Sequence, residues 1–277
     1  MPELAGSAWI LLAVGAVLVG ISKTALPGAG TLAVALFATA LPARTSVGAL
    51  LVLLIVGDLF ALRIYRTHAD LSTLKRLVPP VLAGVVIGTV FLALADDSGV
   101  RRTIGVLLLA LLAVTLLQRR RQARRESPAH EARSRPPQRD TPTHGDSTHG
   151  DSTEPQARGP RRAATVTYGT LGGFTTMVAN AAGPVMSLYF LAASTSVNRF
   201  LGTAAWFFFT VNLAKTPFAA GLGLIDPSTL MLDLVLIPGV VVGAGVGRGI
   251  ARRLRFSVFD RIVLVLTAVS AVYLVLG

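Results

Sequence analysis

Apolar residues fill this chain in long blocks, and short polar or turn-forming clusters divide one block from the next. The runs 47–62, 77–95, 104–117 and 262–276 hold a single charged residue between them, Asp58. Blocks of this kind suit helices that cross a hydrocarbon core about 30 Å thick. Apolar sequence also extends over about 6–41, which as one helix would be roughly 50 Å long at ~1.5 Å per residue. That overshoots the core, so the chain has to fold back near residues 23–30, as a re-entrant hairpin or as two short spans. Three ordinary spans are then predicted near 45–64, 77–95 and 101–118.

The fold-back occurs twice. GAVLVGISKTALPGAG (15–30) and GTLGGFTTMVANAAGP (169–184) each set a Gly/Pro/Asn-rich break inside an apolar stretch. At an offset of 154, Gly15 meets Gly169, Gly48 meets Gly202, Asp58 meets Asn212 and Leu59 meets Leu213. The STL after Asp70-Leu71 matches the STL after Asp226-Pro227. An offset of 159 then pairs Pro79 with Pro238, Gly84 with Gly243, Gly88 with Gly247 and Arg102 with Arg261. Chance matching of Gly and Leu does not readily align Pro, Arg and Asp/Asn as well, so the chain reads as a duplication.

A fold-back plus three spans is an odd number of crossings, which inverts the second half relative to the first. Leaving the central linker out of the count, inversion places ten basic residues inside (Arg63, Arg66, Lys75, Arg76, Arg199, Arg248, Arg252, Arg253, Arg255, Arg261) and three outside (Arg44, Arg101, Arg102). A single crossing over 163–193 would give four inside and nine outside, against the positive-inside rule. The expected fold is an all-α polytopic membrane protein of two inverted-topology repeats. Residues 1–118 and 163–277 form the repeats and 119–162 a cytoplasmic linker, with both termini extracytoplasmic in the cell membrane.

Composition agrees: 52% of the residues are hydrophobic and 14% charged, against roughly 25% charged in soluble domains. The net charge of +12 fits cytoplasmic loops facing anionic lipid better than nucleic acid. No cysteine occurs, which removes disulfides, thiolate metal sites and cysteine nucleophiles. The first residues lack the basic n-region of a cleaved signal, so 7–22 is expected to be retained. The linker 119–162 holds eleven arginines and six acids with little to bury, a composition expected to be disordered. Its repeat HGDSTHGDST (144–153) is a spacer before it is a metal tract. No phosphate-binding loop, HExxH or GxSxG stands in its required context, so neither an enzyme nor a cofactor is expected.

Three features carry chemistry. Pro27-Gly28 and Gly183-Pro184 suit the first turn of a half-helix, whose free N–H groups and positive dipole end would then lie inside the membrane. Inversion aims two such ends at one point, a place for a small anion; proline kinks patched by neighbouring helices are the plainer alternative. Lys23, beside Thr24 in the first break, is costly at depth and can compensate an anion's charge; Asn180 is the polar residue of the second break, after Thr175 and Thr176. In the following spans, Asp58 and Asn212 are the aligned pair and Lys215 lies one turn after Asn212. Asp58 could carry a coupling proton, or it could pair with Lys23 or Lys215 and only hold the bundle. Arg44-Thr45 and Asn198-Arg199 mark the entrances of those spans. The Gly84/Gly88 and Gly239/Gly243/Gly247 spacings need only close helix packing.

GISKTALPGAG (20–30), ARTSVGALLVLLIVGD (43–58), GFTTMVANAAGPVMSLYFLA (173–192) and FLGTAAWFFFTVNLAKTPF (200–218) together resemble the TauE/SafE sulfite exporter family. The resemblance covers both halves and leaves out the linker, which is longer here than is usual. It implies a duplicated multi-span inner-membrane protein that exports sulfite, sulfoacetate or related sulfur-containing organic anions. It places the family's broken-helix residues at Lys23, Pro27, Gly28, Gly30, Asn180, Gly183 and Pro184, and its span polar residues at Asn212 and Lys215. The expected function is therefore transport of a small anion across a lipid bilayer, with a proton as candidate coupling ion. The competing class is a non-transporting scaffold or assembly factor for a membrane redox complex.

Overall fold

A computed structural model describes residues 5–25, 29–133, 162–193, 197–253 and 257–276. The described residues are all-helical. The first half contains α1 (Gly6–Thr24), α2 (Ala29–Ala40), α3 (Ala43–Tyr65), α4 (Leu71–Leu94) and α5 (Asp97–Arg133), with one 3-10 turn over Arg66–His68. The second contains α6 (Arg162–Ala179), α7 (Gly183–Ala193), α8 (Val197–Gly221), α9 (Pro227–Arg253) and α10 (Ser257–Leu276). Among the described residues five helices are long and apolar enough to cross a membrane, and their outward faces carry bare Val, Leu and Ile side chains such as Val86, Val90, Leu234 and Val242.

The expected breaks occur where the sequence sets them. α1 ends at Thr24 and the next helix starts at Ala29; Pro27 and Gly28 lie outside the described residues. In the second half α6 stops at Ala179 because Asn180 takes a left-handed conformation, φ 52°, which asparagine tolerates better than most residues. The N–H of Ala181 then turns back to Thr175 O at 3.3 Å. α2 and α7 have 12 and 11 residues, so at ~1.5 Å per residue each reaches roughly half the depth of a ~30 Å core.

The long spans begin and end at side-chain caps. Asp70 accepts from the N–H groups of Ser72 (3.0 Å) and Thr73 (3.2 Å) at the start of α4. Asp226 does the same for α9 through Thr229 N at 2.7 Å. The repeated Asp-x-Ser-Thr is thus a repeated N-cap. Asp97, at the head of α5, accepts from Ala43 N and Arg44 N and so caps α3 across space. The Arg44 guanidinium closes the other end of that junction on Leu92 O and Ala95 O at the end of α4.

The halves interlock through glycines. A Cβ on Gly84 would stand 2.1 Å from Thr170 O, and one on Gly243 would stand 2.0 Å from Val17 O. Gly88 lies against Met177, and Gly247 against Ile21 and Thr24. α4 therefore runs along α6, and α9 along α1, each pair in the same chain direction and with backbones in contact, as small residues allow. Gly48 packs on Leu224, past the end of α8, and Gly202 packs on Tyr65–Ala69, past the end of α3.

The helix of α5 continues past the expected span end at 118 to Arg133, into the first part of the stretch expected as linker; residues 134–161 of that stretch lie outside the described residues. Residues 119–126 (RRRQARRE) are strong helix formers and contain no stop signal, so the helix continues after the apolar residues end. The HGDSTHGDST repeat lies outside the described residues.

Candidate functional site

Both breaks open onto one cavity of about 60 Å³, walled by α1, α2, α3, α6, α7 and α8. A water needs roughly 10–15 Å³ by this measure, so the space suits an ion of a few atoms. The first residues of both half-helices line it, Gly30 and Thr31 from α2, Gly183 and Pro184 from α7. Ser22, Lys23 and Asp58 line it from the first half and Thr176, Asn180 and Asn212 from the second. Leu54, Leu201 and Phe208 complete the wall with apolar surface.

Lys23 Nζ lies 2.7 Å from Asp58 Oδ1, with the carboxylate fully buried and the lysine side chain 10% exposed. The ammonium also stands 4.6 Å from the Phe208 ring centroid, within cation–π reach. The other carboxylate oxygen accepts from Asn212 Nδ2 at 2.6 Å. Of the two roles open to Asp58, pairing with Lys23 is the one its geometry displays; its coupling role is taken up below. Asp58 and Asn212 are 154 positions apart, so each residue of this aligned pair touches its own counterpart.

Lys215 is 1% exposed and stands behind the wall, outside the cavity lining. Its Nζ donates to Thr176 O at 2.6 Å, Asn180 Oδ1 at 2.6 Å and Thr176 Oγ1 at 3.1 Å. The other end of the Asn180 amide donates to Val47 O at 2.9 Å. Asn180 is therefore clamped between a lysine of α8 and a carbonyl of α3 while lining the cavity. Thr24 turns away from the cavity: its hydroxyl bonds Gly20 O and Ala244 O, and its carbonyl accepts from the Tyr65 hydroxyl.

Of the expected site residues, Lys23, Gly30, Asp58, Asn180, Gly183, Pro184 and Asn212 converge on the cavity. Lys215 supports it from behind, Thr24 joins α1 to α9, and Pro27 and Gly28 lie outside the described residues. Sequence reading singled out neither Ser22 nor Phe208. The duplication could have found both, since at an offset of 154 Ser22 aligns with Thr176 and Phe208 with Leu54, all of them cavity residues. Arg44 and Arg199 lie at helix junctions rather than in the cavity; Arg199 pairs with Asp70 at 3.2 Å.

The family model for the sulfite exporter TauE/SafE matches residues 12–274, a span that contains both breaks, the cavity and most of each helix among the described residues. The chain belongs to the TauE/SafE sulfite exporter family. This membership makes the molecule a multi-pass membrane protein of a transporter family, and it gives the cavity a candidate occupant. Comparison with curated proteins and with solved structures returns no match. Among the described residues no group of His, Asp or Glu has the arrangement of a metal site.

Proposed function

We propose that this TauE/SafE protein carries a small sulfur-containing anion, sulfite or a sulfonate, outward through the cavity between its broken helices. The observation that carries this reading is the meeting of two half-helix N-termini and Lys23 around one small cavity, in which a few polar groups are set into a largely apolar wall. Backbone dipole ends favour negative charge, and at low dielectric a buried cation strengthens that preference well beyond its surface value. In this reading Lys23 compensates charge, and Ser22, Thr31, Thr176, Asn180 and Asn212 supply neutral hydrogen-bonding groups. Gly30, Gly183 and Pro184 bring backbone to the ion, Pro27 and Gly28 belong to the same break, and Lys215 orients Asn180. Transport is coupled to a proton.

The two halves are read as inverted repeats with both termini outside and the linker inside. The charge count sets which side is inside; three contacts support the inversion. Asp58 meets its counterpart Asn212, as expected of aligned residues at a two-fold axis. Gly48 and Gly202 make reciprocal contacts with the far ends of each other's spans. Arg199 pairs with Asp70, which a single crossing over 163–193 would put on opposite sides of the membrane.

Flux decides between transport and the scaffold reading, which has no use for a cavity with converging polar groups at the helix breaks. Purified protein in proteoliposomes should move radiolabelled sulfite or a labelled sulfonate above protein-free vesicles; absence of flux for all of them, with folded protein, removes the proposal. Cysteines placed at Ser147 and Gly221 should react with an impermeant reagent from opposite faces. Labelling of both from one face would refute the inverted arrangement.

A further inference from the structure

Beside the cavity stand Lys23, 10% exposed, and the buried Asp58 and Lys215; the groups around them differ in hydrogen-bonding type, and the other buried carboxylate, Asp233 of α9, does not line the cavity. The carboxylate of Asp58 faces Lys23 Nζ and Asn212 Nδ2. The amide can only donate and so can a lysine ammonium, so opposite a charged Lys23 this geometry fits the ionised carboxylate. Lys215 is surrounded otherwise. Thr176 O and Asn180 Oδ1 are acceptors only, and Thr176 Oγ1 can either accept or donate. An ammonium donates to all three. A neutral amine donates to the first two and takes the Thr176 hydroxyl proton on its lone pair. Both forms are fully satisfied with no heavy atom moved.

We propose that Lys215 Nζ is the proton-binding site of this transporter, and that a proton there and an anion in the cavity bind together. The charged groups within electrostatic reach of Lys215 are Lys23 from α1 and Asp58 from α3. Asp58 is already paired with Lys23, and α6 and its break present only the neutral Thr176 and Asn180. The ammonium therefore lacks a counter-charge until an anion enters the cavity, one amide away across Asn180. A proton reaches it through Thr176, which lines the cavity: the hydroxyl passes its proton to the Nζ lone pair and takes one from hydronium in the cavity. The hydroxyl is restored, water is released and Nζ gains one positive charge. Reciprocity then requires that the proton strengthen anion binding as much as the anion strengthens proton binding. The inference rests on the cavity being the anion site.

Methanesulfonate is a suitable probe because its own charge is constant across neutral pH. Calorimetric titration of the full-length protein in buffers of different ionisation enthalpy counts protons taken up per anion bound. Wild type should take up a proton, with affinity rising as pH falls by up to about tenfold per unit. Lys215→Met and Lys215→Arg should each bind without uptake, whereas Asp58→Asn should retain it. The chain has only three lysines, Lys23, Lys75 and Lys215, so ¹³C-labelled lysine spectra of wild type read the same event directly. The resonance missing from Lys215→Arg should change protonation when methanesulfonate is added at fixed pH. Uptake that survives both Lys215 variants, a Lys215 signal unmoved by bound anion, or wild-type binding without uptake overturns the proton site and leaves the anion site standing. Failure of folded wild type to bind methanesulfonate, sulfite and sulfate alike overturns both.

Discussion

The packing of the two halves is matched, while the polar groups they enclose are not. Gly84 on Thr170 and Gly243 on Val17 are near-identical contacts of aligned glycines, 2.1 and 2.0 Å for an added Cβ, with partners one residue apart in the alignment. The lysines break the match. At the offset of 154, Lys23 aligns with Met177 and Lys215 with Ala61, so each half brings its cation from a different helix. Lys23 comes from the broken hairpin and is held by a carboxylate; Lys215 comes from a continuous span and is held by neutral groups. Helix contact thus tolerates repetition, because backbone approach needs only small residues. A binding site gains from divergence, because one face of an ion can be met by charge and the other by hydrogen bonds.

The largest effect is expected where that asymmetry is removed. Lys23→Met should abolish anion flux and also leave Asp58 buried without its counter-ion, a loss of about 3–5 kcal/mol. Adding Asp58→Asn should recover much of the stability and none of the flux. Proteoliposome uptake beside thermal unfolding in detergent separates the two, and a double variant that transports would show the lysine to be structural.

The matched contacts make the next prediction. Gly84→Ala and Gly243→Ala should each lower stability by about 1–3 kcal/mol or more, because a backbone carbonyl blocks the methyl. Gly245→Ala, with open space around it, should leave the unfolding temperature unchanged or slightly raised. Very unequal losses at Gly84 and Gly243 would mean that the interfaces are not equivalent.

Asn180→Gly keeps the left-handed backbone accessible but deletes the amide between Lys215 and Val47. Anion affinity should fall by roughly tenfold, as for about 1.4 kcal/mol of lost interaction, with normal insertion. Wild-type affinity in this variant would remove Asn180 from the site.

Smaller effects are expected at the caps. Asp70→Ala and Asp226→Ala should each cost about 1 kcal/mol. The Ser72 hydroxyl chiefly, with the Thr73 groups and Arg199, holds the Asp70 carboxyl down at about 2, from an ordinary 3.8. A depressed carboxyl stabilises the fold above its unfolded value, so this contribution is complete above about pH 4 and is lost as pH falls through about 2. The pH dependence of unfolding in wild type against Asp70→Ala should differ only in that window. Deleting 128–154 is expected to change flux least, within a factor of a few, and complete loss with normal expression would give the linker a role beyond connection.

Much of this was legible because membrane sequence is constrained so tightly. Apolar block length located all three spans, α3 to within two residues at each end, and Gly/Pro/Asn clusters located both breaks. The Asp-x-Ser-Thr repeats, visible only as a textual match, proved to be helix caps. What escaped was direction. Sequence places Lys215 one turn after Asn212, yet it cannot say that the side chain runs behind Thr176 rather than into the cavity. Nor could it choose between Lys23 and Lys215 as the partner of Asp58, since both are near in depth. The end of α5 escaped for another reason: solubility and helicity are independent, and an arginine-rich stretch that belongs in water can still be a helix.

The Asp58–Asn212 bond also bears on how such a chain can be assembled. On a two-fold axis a residue meets its own copy. Two identical half-length subunits would set aspartate against aspartate there, or amide against amide. The first pair would repel at full burial, and the second would bring no charge to hold Lys23. A donor facing an acceptor at that point requires two halves that mutate independently, as they do within one polypeptide. Fusion into one chain is thus what permits an electrically lopsided site at the centre of an evenly built frame.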